Sequence, residues 1–177
     1  MAFCPKFKSS ILTALGIRAA SPTSPIPSYT AHYIILNFIF AYAALSSRGL
    51  KNAYKLDHNV SPREDVSKYG ERAVASGKIT QAQLNMLKRN EGAHANAVEN
   101  FTMFVGSLLW AHQAGVPVEV INASALVYTI VRVVYAGLYL GIASHKASYL
   151  RSMAWWAGNA VCFRLLWLGG KVVNQGR

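Results

Sequence analysis

From Asn100 to Val118 the chain runs through nineteen residues without a single Lys, Arg, Asp or Glu. A helix of that length and apolarity is what the roughly 30 Å hydrocarbon layer of a bilayer requires. Three more stretches have the same character. Tyr29 to Ser47 has His32 and Asn37 as its notable polar interruptions, Val120 to Ser144 is broken once by Arg132, and Ser152 to Gly170 once by Arg164. Composition agrees, since 14% of the 177 residues are charged against about 25% in soluble domains. A soluble helical bundle would show a polar stripe on every helix, and the last two stretches lack one. The expectation is an all-α integral membrane domain over residues 29–177, a bundle of four antiparallel helices. The second helix is expected to start upstream, near Gln81, because the polar residues there keep helical spacing.

The net charge is +11. It comes without a Lys/Arg-rich cluster on a polar helix, so nucleic acid is not an expected partner. A basic balance of this kind suits loops facing an anionic leaflet and the binding of a small anion. Cys4 and Cys162 make no disulfide framework, and no metal-ligand spacing is present. Residues 1–28 read as a separate flexible tail, basic at Lys6, Lys8 and Arg18 and Ser/Pro-rich from Ser21 to Ser28, with Ser28 or Thr30 expected to cap the first helix. Loop one, Ser46 to about Thr80, carries Arg48, Lys51, Lys55, Arg63, Lys68, Arg72 and Lys78; its acids Glu64, Asp65 and Glu71 are expected to be solvated. Loop two, His112 to Glu119, has no Lys or Arg, and Gly115 and Pro117 mark it as a tight turn. Loop three runs from His145 to Leu150. The positive-inside rule then puts loops one and three in the cytosol.

Polar residues inside such helices are costly and mark sites. On the second helix Arg89, Asn96, Glu99 and Met103 share a face, with His94 beside it. On the third, Arg132, Tyr135 and Tyr139 share another. Arg151 and Ser152 open the fourth, where a short loop three brings them near Tyr139. The three sets are expected to converge at one membrane depth. Guanidinium groups, a carboxylate, a carboxamide and two phenols suit a small zwitterion with excess carboxylates. An arginine at a thiol would also favour the thiolate. Glutathione fits, and so do other peptides and anionic lipids.

The stretch Glu91-Gly92-Ala93-His94-Ala95-Asn96-Ala97-Val98-Glu99-Asn100-Phe101, the stretch Arg132-Val133-Val134-Tyr135-Ala136-Gly137-Leu138-Tyr139, and Leu150-Arg151-Ser152 together resemble the MAPEG family, the membrane-associated proteins in eicosanoid and glutathione metabolism. The resemblance spans roughly Ala31 to Val173. It implies a homotrimer of four-helix subunits, in the endoplasmic reticulum or the mitochondrial outer membrane, with glutathione bound between subunits on the cytosolic side. It further implies that Asn96 and Glu99 bind glutathione, that Tyr135 and Tyr139 lie at the peptide, that Arg151 stabilises the thiolate with Ser152 or Tyr139 adding a hydrogen bond, and that Arg48 or Lys51 contributes a cation from the end of helix one. His94, Arg89 and Arg132 complete the set of candidate glutathione contacts.

Two positions depart from the family pattern. Cations found in eicosanoid-producing members are replaced by Gly92 and Ala95, and Arg89 is the sequence's nearest substitute. The expected activity is a glutathione-dependent transferase or peroxidase acting on a lipophilic substrate drawn from the membrane lipids. The alternative is a non-catalytic membrane scaffold or lipid-binding protein that kept the fold.

Overall fold

The computed structural model describes residues 10–176, and among them the only regular structure is helical. A short α1 (Ile11–Ala14) precedes α2 (Thr30–Ile39), which continues into a π-helical turn at Phe40–Ala44. Then come α3 (Arg48–Ala53), α4 (Asp65–Ala75), α5 (Gln81–Gln113), α6 (Val118–Gly141) and α7 (Tyr149–Gln175). Lys6 and Lys8, counted with the N-terminal tail, lie outside the described residues.

The start of α5 is set by a capping box. The Thr80 hydroxyl accepts the Gln83 backbone N–H, and the Gln83 side chain accepts the Thr80 N–H at 2.7 Å, satisfying donors that a helix end leaves open. With 33 residues this helix is about 50 Å long, well beyond the hydrocarbon thickness. Its polar first half can therefore extend past an apolar layer that its second half enters. The chain reverses at Gly115, whose φ of +82° is a left-handed conformation natural to glycine, and α6 follows directly behind Pro117.

Two segments are long and apolar enough to cross a membrane, Thr30–Ala53 and Val118–Gly141. Four were expected. Helix α5 ends at Gln113, and its apolar half still includes His94, Asn96, Glu99 and Asn100, which lower its hydropathy; in α7 Asn159, Arg164 and several small residues do so.

The long helices alternate in direction. Against α5, α6 runs antiparallel: the Phe104 and Tyr128 rings stack at 4.0 Å near one end, and Arg89 Nε donates to the Leu140 carbonyl at 3.1 Å near the other. On α7, Arg164 Nη1 donates to Ser124 Oγ at the start of α6, and Arg151 meets Tyr139 near its end. Trp110 of α5 donates its indole N–H to the Leu166 carbonyl and covers Gly169, where an added Cβ would come within 2.4 Å of the indole nitrogen. The π-helical turn faces α5, and the carbonyls of Ala41 and Leu45 accept from His94 Nδ1 (2.8 Å) and Asn90 Nδ2 (3.0 Å). Irregular backbone at membrane depth persists where a neighbouring side chain satisfies it. The main core gathers Phe104, Leu108, Ile121, Ala125, Tyr128 and Leu165.

Loop one is not a loop. It holds α3 and α4, which fold with the start of α5 around Leu56, Val66, Ala73, Ile79, Leu84 and Leu87. Asp65, expected to be solvated, is fully buried. It accepts from the His58 backbone and ring, and Lys51 Nζ stands 3.8 Å away. Lys51 is buried as well and also pairs with Glu91 of α5 at 2.7 Å. A carboxylate this enclosed needs such partners, so the ion cluster ties the α3–α4 module to α5. Glu71 does remain at the surface, pairing with Lys88 at 2.8 Å. Glu64 hydrogen-bonds Lys68 one turn on and holds the pKa of that ammonium above the ordinary lysine range.

The N-terminal stretch, expected to be a flexible tail, is held at two points. Asn122, with no exposed surface, donates to the carbonyls of Gly16 and Pro27, both at 2.9 Å, and accepts the Tyr29 N–H at 3.0 Å. That last bond serves the start of α2. Neither Ser28 nor Thr30 caps it; the N-cap is Tyr29, and the two hydroxyls pair with each other.

Candidate functional site

Two concavities flank α5. The first has a volume of about 330 Å³ and lies between α5, α6 and the start of α7. Asn96, Tyr135, Tyr139, Arg151 and Ser152 line it together. Arg151 places its guanidinium 4.5 Å from the centre of the Tyr139 ring, and the two tyrosine rings are 5.5 Å apart. Such stacking holds the cation in place while leaving its N–H donors free. Ser148, Trp155 and Trp156 complete the lining. None of these three is among the residues that charge or spacing singled out in the sequence.

Gly92 has a positive reason to be glycine. A Cβ at that position would fall 2.7 Å from the Tyr139 hydroxyl. The missing side chain on α5 is thus the seat of the Tyr139 phenol, which the sequence shows only as the loss of a cation.

Arg132 does not line this concavity. It is 3% exposed and stands behind Asn96, with Nη2 donating to Asn96 Oδ1 at 3.2 Å and the guanidinium 4.4 Å from the Tyr135 ring centre. Asn100 Nδ2 also reaches Asn96 Oδ1, at 3.3 Å. With two donors on its oxygen, the Asn96 carboxamide is left to face a ligand through its NH₂ group. Arg89 is likewise committed elsewhere, to the Leu140 carbonyl, and lines neither concavity.

The second concavity, about 600 Å³, lies between the end of the first long segment, the α3–α4 module and α5. Here are Glu99, His94, Arg48 and Lys51, with Tyr42, Ala95, Glu91 and Arg63. His94 spends Nδ1 on the Ala41 carbonyl and sets its ring edge-on to Tyr42. Asn96 and Glu99, one shared helix face in the sequence, therefore open on different sides of α5. Arg63 was legible there only as one loop charge among seven; nothing in the spacing singled it out.

Both volumes fall in the range of small-molecule sites. The first offers a fixed cation, hydroxyls and a carboxamide, a set able to stabilise an anion such as a thiolate. The second offers separated charges of both signs. No curated protein and no solved structure matches the chain. A family model does, and it covers residues 26–171, from just before α2 to deep within α7, taking in both concavities. The chain belongs to the MAPEG family.

Proposed function

We propose that this protein is a membrane-bound glutathione-dependent transferase or peroxidase whose substrates are lipophilic electrophiles or lipid hydroperoxides. The observation that carries the reading is Arg151 stacked on Tyr139 in a concavity shared with Asn96, Tyr135 and Ser152. A guanidinium beside the glutathione sulfur favours the thiolate, the reactive form. Ser152 or the Tyr139 phenol adds a hydrogen bond to that sulfur. The thiolate then attacks an electrophilic carbon of a substrate arriving from the lipid and forms a thioether, either displacing a leaving group that departs as an anion or adding to an activated double bond whose carbanion then takes a proton from water. With a hydroperoxide it takes the terminal oxygen and releases an alcohol, after which a second glutathione completes the disulfide and water leaves.

In this reading all four long segments span the membrane of the endoplasmic reticulum, and the site faces the cytosol. Three chains assemble, with glutathione held between neighbours. The opening of Asn96 and Glu99 into separate concavities supports that arrangement, because both can serve one ligand when a neighbour's second concavity meets the first. The test uses purified protein in detergent. Added glutathione should give thiolate absorbance that Arg151→Ala removes without changing the unfolding midpoint. A wild-type protein that neither binds glutathione nor forms thiolate refutes the enzyme and leaves a membrane scaffold.

A further inference from the structure

Helix α7 carries a third concavity of about 520 Å³, which shares no residue with the two that flank α5. It lies at the far end of α7 from Arg151, close to where Val172 approaches Gly115 of the tight turn. Its lining changes character along the helix. Phe163, Leu166 and Trp167 make an apolar part, and Lys171, Asn174 and Gln175 make a polar one. Trp167 is 67% exposed, and Lys171 Nζ stands 5.7 Å from the centre of its ring. Gly170 lies where the two parts meet, and a Cβ added there would find nothing within 4 Å. The groove is thus open where a side chain would stand.

The cations at this end of α7 have no anion among the described residues. Lys171 makes no ion pair there. Arg164, two turns earlier on nearly the same face, gives one N–H to Ser124 Oγ and meets no carboxylate. Glu119, the acid in the first turn of α6, pairs with neither. If α7 crosses the hydrocarbon layer with about 20 residues from Ser152, Lys171, Asn174 and Gln175 stand at the depth of the lipid phosphates. Phe163 and Trp167 then lie among the acyl chains just inside, where tryptophan commonly borders the head groups. Arg164 is about 10 Å deeper, and a charge at that depth is costly without an anion within reach of its long side chain.

We propose that this concavity binds one anionic phospholipid of the non-cytosolic leaflet. Lys171 pairs with the phosphate, the carboxamides of Asn174 and Gln175 donate to its oxygens, and an acyl chain lies along Phe163, Leu166 and Trp167 over Gly170. Arg164 extends toward the same head group and adds a second positive charge. A zwitterionic lipid fits less well, because its own ammonium offsets the attraction of two cations. The assignment rests on the reading that α7 spans the membrane and is independent of glutathione and of Arg151.

The experiment titrates the full-length protein in detergent with phosphatidylglycerol or phosphatidylcholine of the same acyl chains and counts bound lipids by native mass spectrometry. Wild type should prefer phosphatidylglycerol at least about tenfold, since each cation near a head group contributes about fivefold. Lys171→Gln should lower that preference about fivefold, and the double change Arg164→Gln with Lys171→Gln should abolish it. Gly170→Leu keeps both cations and fills the groove, so it should weaken both lipids together while the unfolding midpoint holds. A double variant that keeps the wild-type preference overturns the assignment. So does a Gly170→Leu chain that binds lipid normally and loses its oligomeric state in sedimentation, which would give the groove to a second copy. A wild type that binds both lipids equally overturns the proposal alone, and one that binds neither overturns the spanning of α7 with it.

Discussion

Replacing Arg132 by Met separates what this residue does for the fold from what it does for the site. The guanidinium is almost wholly enclosed, with no carboxylate in ion-pair distance among the described residues, and its Nη1 is buried without a protein partner. Arg132→Met gives up one charge-assisted hydrogen bond, about 1.5–3 kcal/mol, and the contact with the Tyr135 ring, about 0.5–2 kcal/mol. It also removes an arginine from mid-span, worth about 2.5–3.5 kcal/mol on insertion scales, and an unsatisfied buried donor, about 1–3 kcal/mol. The two sides nearly cancel. Stability should stay within about 2 kcal/mol of wild type, with the sign favouring the variant, since burying a charge carries a desolvation cost that an apolar side chain avoids. Binding should suffer instead. Freed from Arg132, the Asn96 carboxamide can rotate, and an oriented hydrogen bond worth about 1 kcal/mol corresponds to roughly a fivefold loss of glutathione affinity. Unfolding in detergent and glutathione titration measure the two separately. A stability loss above about 3 kcal/mol would refute the accounting, and unchanged affinity would refute the positioning of Asn96.

The remaining predictions probe other contacts. Gly92→Ala should lower thiolate absorbance at saturating glutathione with little change in unfolding midpoint, because the new Cβ meets the movable Tyr139 hydroxyl and not backbone; unchanged absorbance would mean that the seat of Tyr139 is irrelevant to the sulfur. Lys51→Met leaves Asp65 and Glu91 without their cation, and breaking a buried pair in this way costs about 3–5 kcal/mol. Protease cleavage should then appear within residues 46–80 while the long helices stay intact; equal resistance to wild type would argue against the cluster as the tie. Asn122→Ala strips three hydrogen bonds from one buried side chain and should cost about 1–3 kcal/mol, with faster proteolysis between residues 15 and 28 as its signature.

Local features of the sequence were read correctly because they depend on neighbours a few residues away. The start of α5 at Gln81 follows from Thr80 and Gln83, and the reversal after it follows from Gly115 and Pro117. Loop one was misjudged for the opposite reason. Its charge density suggested a solvated linker, yet Leu56, Val66, Ala73 and Ile79 are spread thinly enough that no single window shows them as a core. Asp65 looked like its neighbour Glu64, and only the arrival of Lys51 and His58 from elsewhere distinguishes the two.

The amino-acid sequence by itself determined that this chain is helical, strongly apolar and a member of its family, since hydropathy, capping and ordered motifs are properties of short segments. The tertiary structure decided which polar residues meet. Asn96 and Glu99 are three residues apart, about 60° around a helix, which is close enough to share a stripe and far enough to fall on opposite sides of a packed ridge. The rotation of α5 against its neighbours settles that choice, sending Asn96 to Tyr139 and Arg151 and Glu99 to Arg63. Spacing along a chain fixes angles within one helix, whereas the side a residue faces depends on partners dozens of positions away.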